Sequence, residues 1–215
     1  MIRLVIFDFD GTLADTREII VRTNHDLQRM MGYPLSDEAS IVATIGLPLR
    51  ECILKLHPDL PQEELPVWVD AYRKVFNNLK DRMVPKLYPH VMETLQTLAG
   101  RGVVMSIASS RGSTSLSGML KDMGLSPYVS YVLGAEDVTL AKPHPEPVLK
   151  TLETLEVPAP EALVVGDMPV DILMGSRAGA RTCGVTYGNS TRSELLEAGA
   201  DYIIDSFSQL ESLLG

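Results

Sequence analysis

The sequence predicts an α/β fold in which a parallel sheet lies between two layers of helices and carries an inserted α-helical cap domain. Three observations lead to this prediction. An apolar run at residues 2–7 suits a buried strand, residues 15–82 carry helical periodicity alone, and from Tyr88 onward short apolar runs alternate with helical segments. Because the first strand matches the later alternating part, we expect a core formed by residues 1–14 and 84–215, and a cap formed by residues 15–83.

The cap region contains two clear helical stretches. Apolar residues recur every three or four positions up to Gly32, and the same pattern returns after Pro66, a residue that suits the first turn of a helix. Pro48 is expected to start a shorter helix that ends near Leu56. The methionines and aromatic residues of these stretches are expected to pack between helices rather than to bind a ligand.

The core region alternates between helices and strands. Helices are predicted at about 89–99, up to about Met123, and at about 145–155, 169–178, 191–198 and 206–214. Strands are predicted at 103–108, 131–133, 162–165, 182–185 and 202–204. Short apolar strands separated by helices are typical of a parallel sheet that is covered on both faces.

Composition limits the classes of function. The chain has 215 residues and a formal net charge of −9 without a basic patch, so nucleic acid is not an expected partner. No apolar run approaches the roughly 20 residues of a membrane span, and the first residues begin a strand rather than a signal peptide. Cys52 and Cys183 lack metal-ligand spacing, which suits a reducing, cytoplasmic location. The sequence leaves the oligomeric state open.

The most informative motif directly follows the first predicted strand. Asp8 and Asp10 are followed by Gly11 and Thr12, so two carboxylates lie where a strand ends and the chain turns. The carboxyl ends of parallel strands are where open α/β sheets bind their ligands. Taken alone, however, such a pair is also explained by turn chemistry or a helix cap.

Three later strand ends supply partners for these carboxylates. Ser109 and Ser110 follow one strand, Lys142 lies in a polar turn, and Asp167 follows another strand with Asp171 four residues later. Each has a simpler explanation, as a helix cap or a surface lysine. Because parallel strands bring their carboxyl ends to one edge of the sheet, the set together predicts an oxygen-rich site that suits Mg²⁺.

These four motifs, in this order, resemble those of the haloacid dehalogenase superfamily of phosphotransferases over essentially the whole chain. Its phosphoglycolate phosphatase-like and β-phosphoglucomutase-like members are the most similar. The resemblance implies a Rossmann-like three-layer core with a small helical cap. It also implies a phosphoric monoester hydrolase that acts on a small phosphorylated metabolite.

The resemblance implies a role for each catalytic residue. Asp8 is expected to attack phosphorus and form an aspartyl-phosphate. Asp10 is expected to protonate the leaving oxygen and then to activate water. Ser109 and Lys142 are expected to hold the phosphoryl oxygens.

The same resemblance implies that Mg²⁺ is the cofactor. Asp8, the Asp10 carbonyl and Asp167 are expected to bind it, while Asp171 either binds it or orients the site through water.

Substrate contacts are expected from several further groups. The backbone near Gly11 and Ser110 is expected to bind phosphate, and Arg111 and the cap residue Arg50 are candidates for the rest of the substrate. Thr16 and His25 are placed at the boundary between cap and core.

Several alternatives stay open at this stage. A phosphomutase of the β-phosphoglucomutase type, an inorganic pyrophosphatase and a non-catalytic phosphometabolite-binding protein are each compatible with these motifs. Dehalogenases lack an acid at the position of Asp10, so its presence favours phosphoryl transfer. Lys55 is not expected to form a Schiff base.

Overall fold

A six-stranded parallel sheet forms the core of the computed structural model, which describes residues 1–214. In chain order, the strands are β1 (Leu4–Phe7), β2 (Ala14–Asp15), β3 (Lys86–Leu87), β4 (Val104–Ala108), β5 (Tyr131–Leu133), β6 (Ala162–Gly166), β7 (Arg181–Val185) and β8 (Tyr202–Ile204). The large sheet has the order β5–β4–β1–β6–β7–β8. β1 therefore lies in the interior of the sheet, with β4 and β6 as its neighbours.

Helices cover both faces of this sheet and form the inserted region. In chain order, the helices are α1 (Arg17–Met31), α2 (Glu38–Val42), α3 (Leu49–Leu56), α4 (Leu65–Lys80), α5 (Val91–Gly100), α6 (Ser113–Asp122), α7 (Glu146–Leu155), α8 (Pro169–Arg177), α9 (Arg192–Glu197) and α10 (Leu210–Leu213). The first four lie in the predicted cap region, and the others belong to the α/β core. The α/β architecture predicted from the sequence is thereby confirmed.

The two faces of β1 contribute to separate apolar clusters, because successive side chains of a strand point to opposite faces. Val5 and Phe7 pack on one face with the residues of α5 and α6, while Leu4 and Ile6 pack on the other with those of α7 and α8. All four side chains are fully buried. Because these side chains are buried on both faces, β1 is held in the sheet up to Phe7, and Asp8 follows directly.

The cap helices bury a core of their own. Leu27, Ile53 and Trp68 come from α1, α3 and α4 and are almost fully buried together. His57 packs against Trp68 and Tyr33, with ring centroids 4.6 and 5.4 Å away. Trp68 therefore packs between helices, as the sequence predicts. The short helix α2 was not predicted.

Two chain crossings connect the cap region to the sheet. β2 and β3 pair antiparallel there, with Ala14 opposite Leu87 and Asp15 opposite Lys86. This ribbon was not predicted, because two-residue strands carry no periodicity. The boundaries at 14/15 and 83/84 stay a prediction.

Three short 3₁₀ helices were also not predicted: Ser126–Tyr128, Ala135–Asp137 and Ala159–Glu161. The predicted helix at 206–214 begins as a 3₁₀ turn, Phe207–Gln209, before α10. Within residues 1–214, no helix combines the length and the apolar character needed to cross a membrane. Cys52 and Cys183 are both free thiols.

Candidate active site

Asp8 directly follows β1 and is buried at the edge of the sheet where the carboxyl ends of the strands meet. The Asp8 amide donates to the Val165 carbonyl and so continues the sheet pairing for one more residue. Asp8 Oδ1 accepts a hydrogen bond of 2.6 Å from Lys142 Nζ. Asp8 Oδ2 is buried and has no hydrogen-bond partner in the described part of the chain. One oxygen of this carboxylate is thus held in place while the other stays free to react or to bind a cation.

Three carboxylates meet at this edge of the sheet. Oxygen atoms of Asp8, Asp167 and Asp171 lie within 4.8 Å of one another, and all three side chains are buried. Asp167 is held by Thr12 Oγ1 at 3.0 Å and by the backbone and side-chain amides of Asn189, each at 2.8 Å. Burial, and then the charge of Asp171, raise the pKa of Asp167 to about 7. The structure therefore brings together three of the four acids that the sequence predicts.

Lys142 compensates part of this negative charge. Its Nζ donates to Asp8 at 2.6 Å and to Asp171 at 2.7 Å, and only 4% of the residue is exposed. Burial favours the neutral amine, but the carboxylates of Asp171 and Asp8 raise the pKa of Lys142 above its ordinary value. Burial also raises the pKa of Asp8 well above its ordinary value, against the influence of Lys142, and Asp171 and Asp167 raise it further.

The acidic group fits a divalent cation. Three carboxylates face a single ammonium group, so the cluster keeps excess negative charge when all of them are ionised. Carboxylate oxygens are the ligands that Mg²⁺ prefers in proteins. The residues present therefore suit the predicted Mg²⁺ site.

The Asp10 carboxylate lies apart from these acids and faces the cap. It accepts hydrogen bonds from Thr16 Oγ1 at 2.7 Å and from Arg111 Nε and Nη2 at 3.0 and 2.5 Å. The Arg111 guanidinium also donates to Ser115 and lies over the Phe76 ring of α4, 4.7 Å from its centroid. Two predicted site residues, Asp10 and Arg111, thus form a buried ion pair at the boundary between cap and core. Only the backbone carbonyl of Asp10 is left for the predicted metal contact.

The two serines after β4 point in different directions. The Ser109 amide donates to the Leu133 carbonyl, and its Oγ accepts from the Arg111 amide at 3.2 Å. Ser110 Oγ donates instead to the Gly46 carbonyl of the cap at 2.6 Å. Ser109 therefore stays in the catalytic pocket, while the hydroxyl of Ser110 contributes to the contact between cap and core.

Two cavities meet at Ser109 and Ser110. The first, of about 540 Å³, lies between cap and core and is lined by both Asp8 and Asp10. The second, of about 680 Å³, is lined by Lys142 and by Arg50, but not by Asp8 or Asp10. The structure thus separates Arg50 from the Asp10 side of the site.

Other residues singled out at the boundary have different positions. Thr16 does contact the site, through Asp10. His25 lies inside the cap, where its Nε2 is 2.9 Å from the Ser36 carbonyl oxygen. Lys55 is exposed and does not line either cavity of residues 1–214.

Three contributors to the site were not predicted from the sequence: Thr12, Asn189 and Phe76. Thr12 belongs to the first motif, so its hydroxyl could have been singled out as a partner for an acid. Asn189 and Phe76 carry no local signal, because their contacts with Asp167 and Arg111 join distant parts of the chain.

Comparison with known proteins identifies the family. The family model for haloacid dehalogenase-like hydrolases matches residues 5–185. The chain belongs to this family. It is 38% identical over 211 residues to probable phosphatase IndB of Dickeya dadantii, covering 96% of this chain and 91% of that protein. It is 33% identical over 215 residues to pyrophosphatase PpaX of Anoxybacillus flavithermus, covering 100% of this chain and 97% of that protein.

Structural comparison agrees with the sequence matches. A haloacid dehalogenase-like hydrolase from Bacteroides fragilis superposes with a TM-score of 0.91 at 29% identity, covering 98% of this chain and all of that one. The predicted family is confirmed, and the chain is a phosphatase of the haloacid dehalogenase-like family.

Gly11 offers a test of how closely this family site is packed. Its φ is +90°, and a Cβ added there would overlap the carboxylate of Asp167 and the side-chain amide of Asn189. Gly11→Ala is expected to lower the free energy of unfolding by more than the ~1–2 kcal/mol of the left-handed conformation alone. It should also reduce phosphate release, because Asp167 must move. Urea unfolding and an activity assay measure both effects.

Gly32→Ala is the matched control for this variant. Gly32 has a similar φ of +73°, but a Cβ there meets no atom of the described chain within 4 Å. Only the conformational cost is expected, with unchanged activity. Equal effects of the two variants would contradict the close packing at Gly11.

Proposed function

We propose that the protein is a Mg²⁺-dependent phosphatase that hydrolyses a small phosphorylated metabolite through an aspartyl-phosphate on Asp8. The arrangement of the Asp8 carboxylate carries this proposal. Lys142 holds Oδ1, whereas the buried Oδ2 accepts no hydrogen bond from any residue between 1 and 214. A nucleophile needs a free, oriented oxygen, and this carboxylate has one.

In the proposed first step, Asp8 Oδ2 attacks phosphorus and the bond from phosphorus to the leaving oxygen breaks. Asp10 gives its proton to that oxygen, so the product is a neutral alcohol. Lys142 contacts Asp8, and Ser109 lines the same cavity as Asp8. Both would stabilise the charge on the phosphoryl oxygens during the transfer. A bound Mg²⁺, held by Asp8, the Asp10 carbonyl and Asp167, would supply further electrostatic stabilisation of the phosphoryl group.

In the proposed second step, Asp10 takes a proton from water as the water oxygen attacks phosphorus. The bond between phosphorus and the Asp8 oxygen breaks, which releases phosphate and restores the carboxylate. Thr16 and Arg111 fix the Asp10 side chain at the wall of the first cavity. These contacts support a role for the same carboxylate in both proton transfers.

The cap is proposed to exclude bulk water during the first step. Several polar contacts join it to the core in this structure, and one of them is the hydrogen bond from Thr16 to Asp10. Ser110 Oγ donates to the Gly46 carbonyl, and Arg73 of α4 pairs with Glu136 of the core at 3.1 Å. The Arg73–Glu136 pair is exposed, so its contribution to closure is small.

Dependence on Mg²⁺ is tested by adding and removing the metal. Phosphate release from a phosphate monoester is expected to require Mg²⁺ and to stop in excess EDTA. Mg²⁺ at about 100 times its dissociation constant should also stabilise the wild-type fold by about 2.7 kcal/mol. Thermal unfolding with and without the metal measures that shift.

Asp167→Asn provides the control, since it should lose most of the Mg²⁺-induced thermal shift while remaining folded. Undiminished phosphate release in EDTA would contradict the metal requirement. Samples quenched in acid during turnover should contain phospho-enzyme. Turnover without any trapped phospho-enzyme would contradict the covalent step.

A pyrophosphatase is the second candidate, because a relative of 33% identity is named pyrophosphatase PpaX. A phosphate-release assay that compares pyrophosphate with phosphoglycolate and other monoesters separates the two activities. A phosphomutase would instead interconvert hexose 1- and 6-phosphates without net phosphate release. A cytoplasmic location stays a prediction, which the two free thiols support.

A further inference from the structure

We propose that the leaving group of the substrate is a bulky, uncharged alcohol with a large apolar surface. On this view the enzyme prefers phosphate monoesters of such alcohols to compact substrates with a second anionic group, such as phosphoglycolate or pyrophosphate. The inference rests on the proposed function and specifies its substrate class. It follows from which cavity receives the leaving group and from the side chains that line that cavity.

The leaving group must occupy the cavity that contains Asp10. In phosphoryl transfer, the leaving oxygen lies roughly opposite the attacking atom, and here it must also reach its proton donor. The first cavity is lined by both Asp8 and Asp10, whereas the second is lined by neither. Arg50, with Lys142, His144 and Arg177, lines the second cavity. Arg50 and Arg177 therefore line a different cavity from the one that receives the leaving group.

The first cavity is large, and the cap gives it a mainly apolar wall. Its volume of about 540 Å³ lies within the range of pockets that enclose drug-sized ligands. The apolar side chains that line it come mainly from the cap: Ile20, Ile45, Leu47, Leu49, Tyr72 and Phe76. A glycolate or phosphate leaving group would leave most of this surface uncovered. A larger apolar alcohol would bury it.

Among the described residues, the buried cation that lines this cavity is not free to bind a second anion. Among residues 1–214, its cationic lining residues are Arg73, Lys80 and Arg111. Arg111 makes a bidentate pair with Asp10, and Arg73 pairs with Glu136. Lys80 is exposed at the end of α4. A carboxylate or phosphate on the leaving group would lose water without gaining an unpaired, buried cation, which is unfavourable.

Four synthetic monoesters test size and charge separately. Ethyl phosphate and phosphoglycolate are small, without and with a carboxylate; benzyl phosphate and 4-carboxybenzyl phosphate are the corresponding large pair. Burial of the ring is expected to raise kcat/KM for benzyl phosphate at least about tenfold over ethyl phosphate. The carboxylate is expected to lower kcat/KM at least about tenfold within each pair. Phosphate release with saturating Mg²⁺ measures all four.

A variant locates the effect in the first cavity. Ile20 of α1 lines the first cavity. It lies one helical turn after Thr16, whose hydroxyl contacts Asp10, so both side chains are on the same side of α1. Ile20→Lys is expected to raise the kcat/KM ratio of 4-carboxybenzyl to benzyl phosphate at least about tenfold, because it adds a cation to the apolar wall. This ratio cancels any general loss of activity. Met30→Lys, at an exposed position of the same helix, should leave the ratio unchanged.

Each outcome bears on one of the two proposals. Faster hydrolysis of phosphoglycolate than of ethyl phosphate, or of 4-carboxybenzyl than of benzyl phosphate, would overturn the inference while leaving the phosphatase mechanism intact. A preference for pyrophosphate over benzyl phosphate would do the same. Failure to release phosphate from any of these compounds would contradict the proposed function, and the inference would fall with it.

Discussion

Asp8→Asn is expected to lower kcat for phosphate release by at least about 10⁴-fold, as expected for the loss of a nucleophile. An amide oxygen cannot form the aspartyl-phosphate, even though asparagine has almost the same shape. Lys142 keeps an oxygen to contact, so the surrounding side chains have no reason to move. Steady-state phosphate release, together with a search for phospho-enzyme in quenched samples, measures the effect.

The stability of this variant separates a chemical defect from a folding defect. Asp8 is buried beside two other acids, and its pKa is raised by burial against the opposing charge of Lys142, with further increases from Asp171 and Asp167. Removing its charge in metal-free protein is therefore not expected to lower the free energy of unfolding. Asp59→Asn, at an exposed loop position, is the control for activity. Turnover near the wild-type rate in Asp8→Asn would contradict the role of Asp8 as nucleophile.

Lys142→Met should have the largest effect on stability. It removes the ammonium group that Asp8 and Asp171 share and leaves their carboxylates buried without a counter-charge. Breaking a buried ion pair in this way typically costs about 3–5 kcal/mol. We expect a decrease of this size in the free energy of unfolding in EDTA, and loss of phosphate release. Urea unfolding gives the stability directly.

Two comparisons show whether charge is the cause. Adding Asp171→Asn to Lys142→Met should recover part of the lost stability, because one uncompensated carboxylate is removed. Lys150→Met, whose side chain is exposed, should change stability by less than about 1 kcal/mol. Wild-type stability in the Lys142→Met protein would show that the three carboxylates do not need this cation.

The catalytic edge of the sheet could be predicted because its residues are tied to local sequence features. Asp8, Ser109 and Asp167 each follow an apolar strand directly, and parallel pairing brings such strand ends together. All four residues of β1 are buried, so the charged residues of the acidic motif can begin only after Phe7. The pattern of apolar strands therefore predicts both the parallel sheet and the place where these side chains lie close together.

The contacts across the boundary between cap and core could not be predicted in the same way. The position of Arg50 depends on how α3 packs against α4, and the pairing of Arg111 with Asp10 joins residues 101 positions apart. Asn189 reaches Asp167 from a turn after β7, with no periodic signal of its own. The contacts between cap and core depend on many small packing interactions, and no single sequence motif predicts them.

The central position of β1 also constrains how the protein can be made. β1 is complete at Phe7, but its neighbour β6 ends only at Gly166. At ordinary rates of translation, β6 is synthesised about 10–30 s after β1. During that time β1 is exposed to misfolding and aggregation, so chaperone binding near the N-terminus should matter most for this segment. Catalytic competence arises late in synthesis, and activity reports the completion of the whole core.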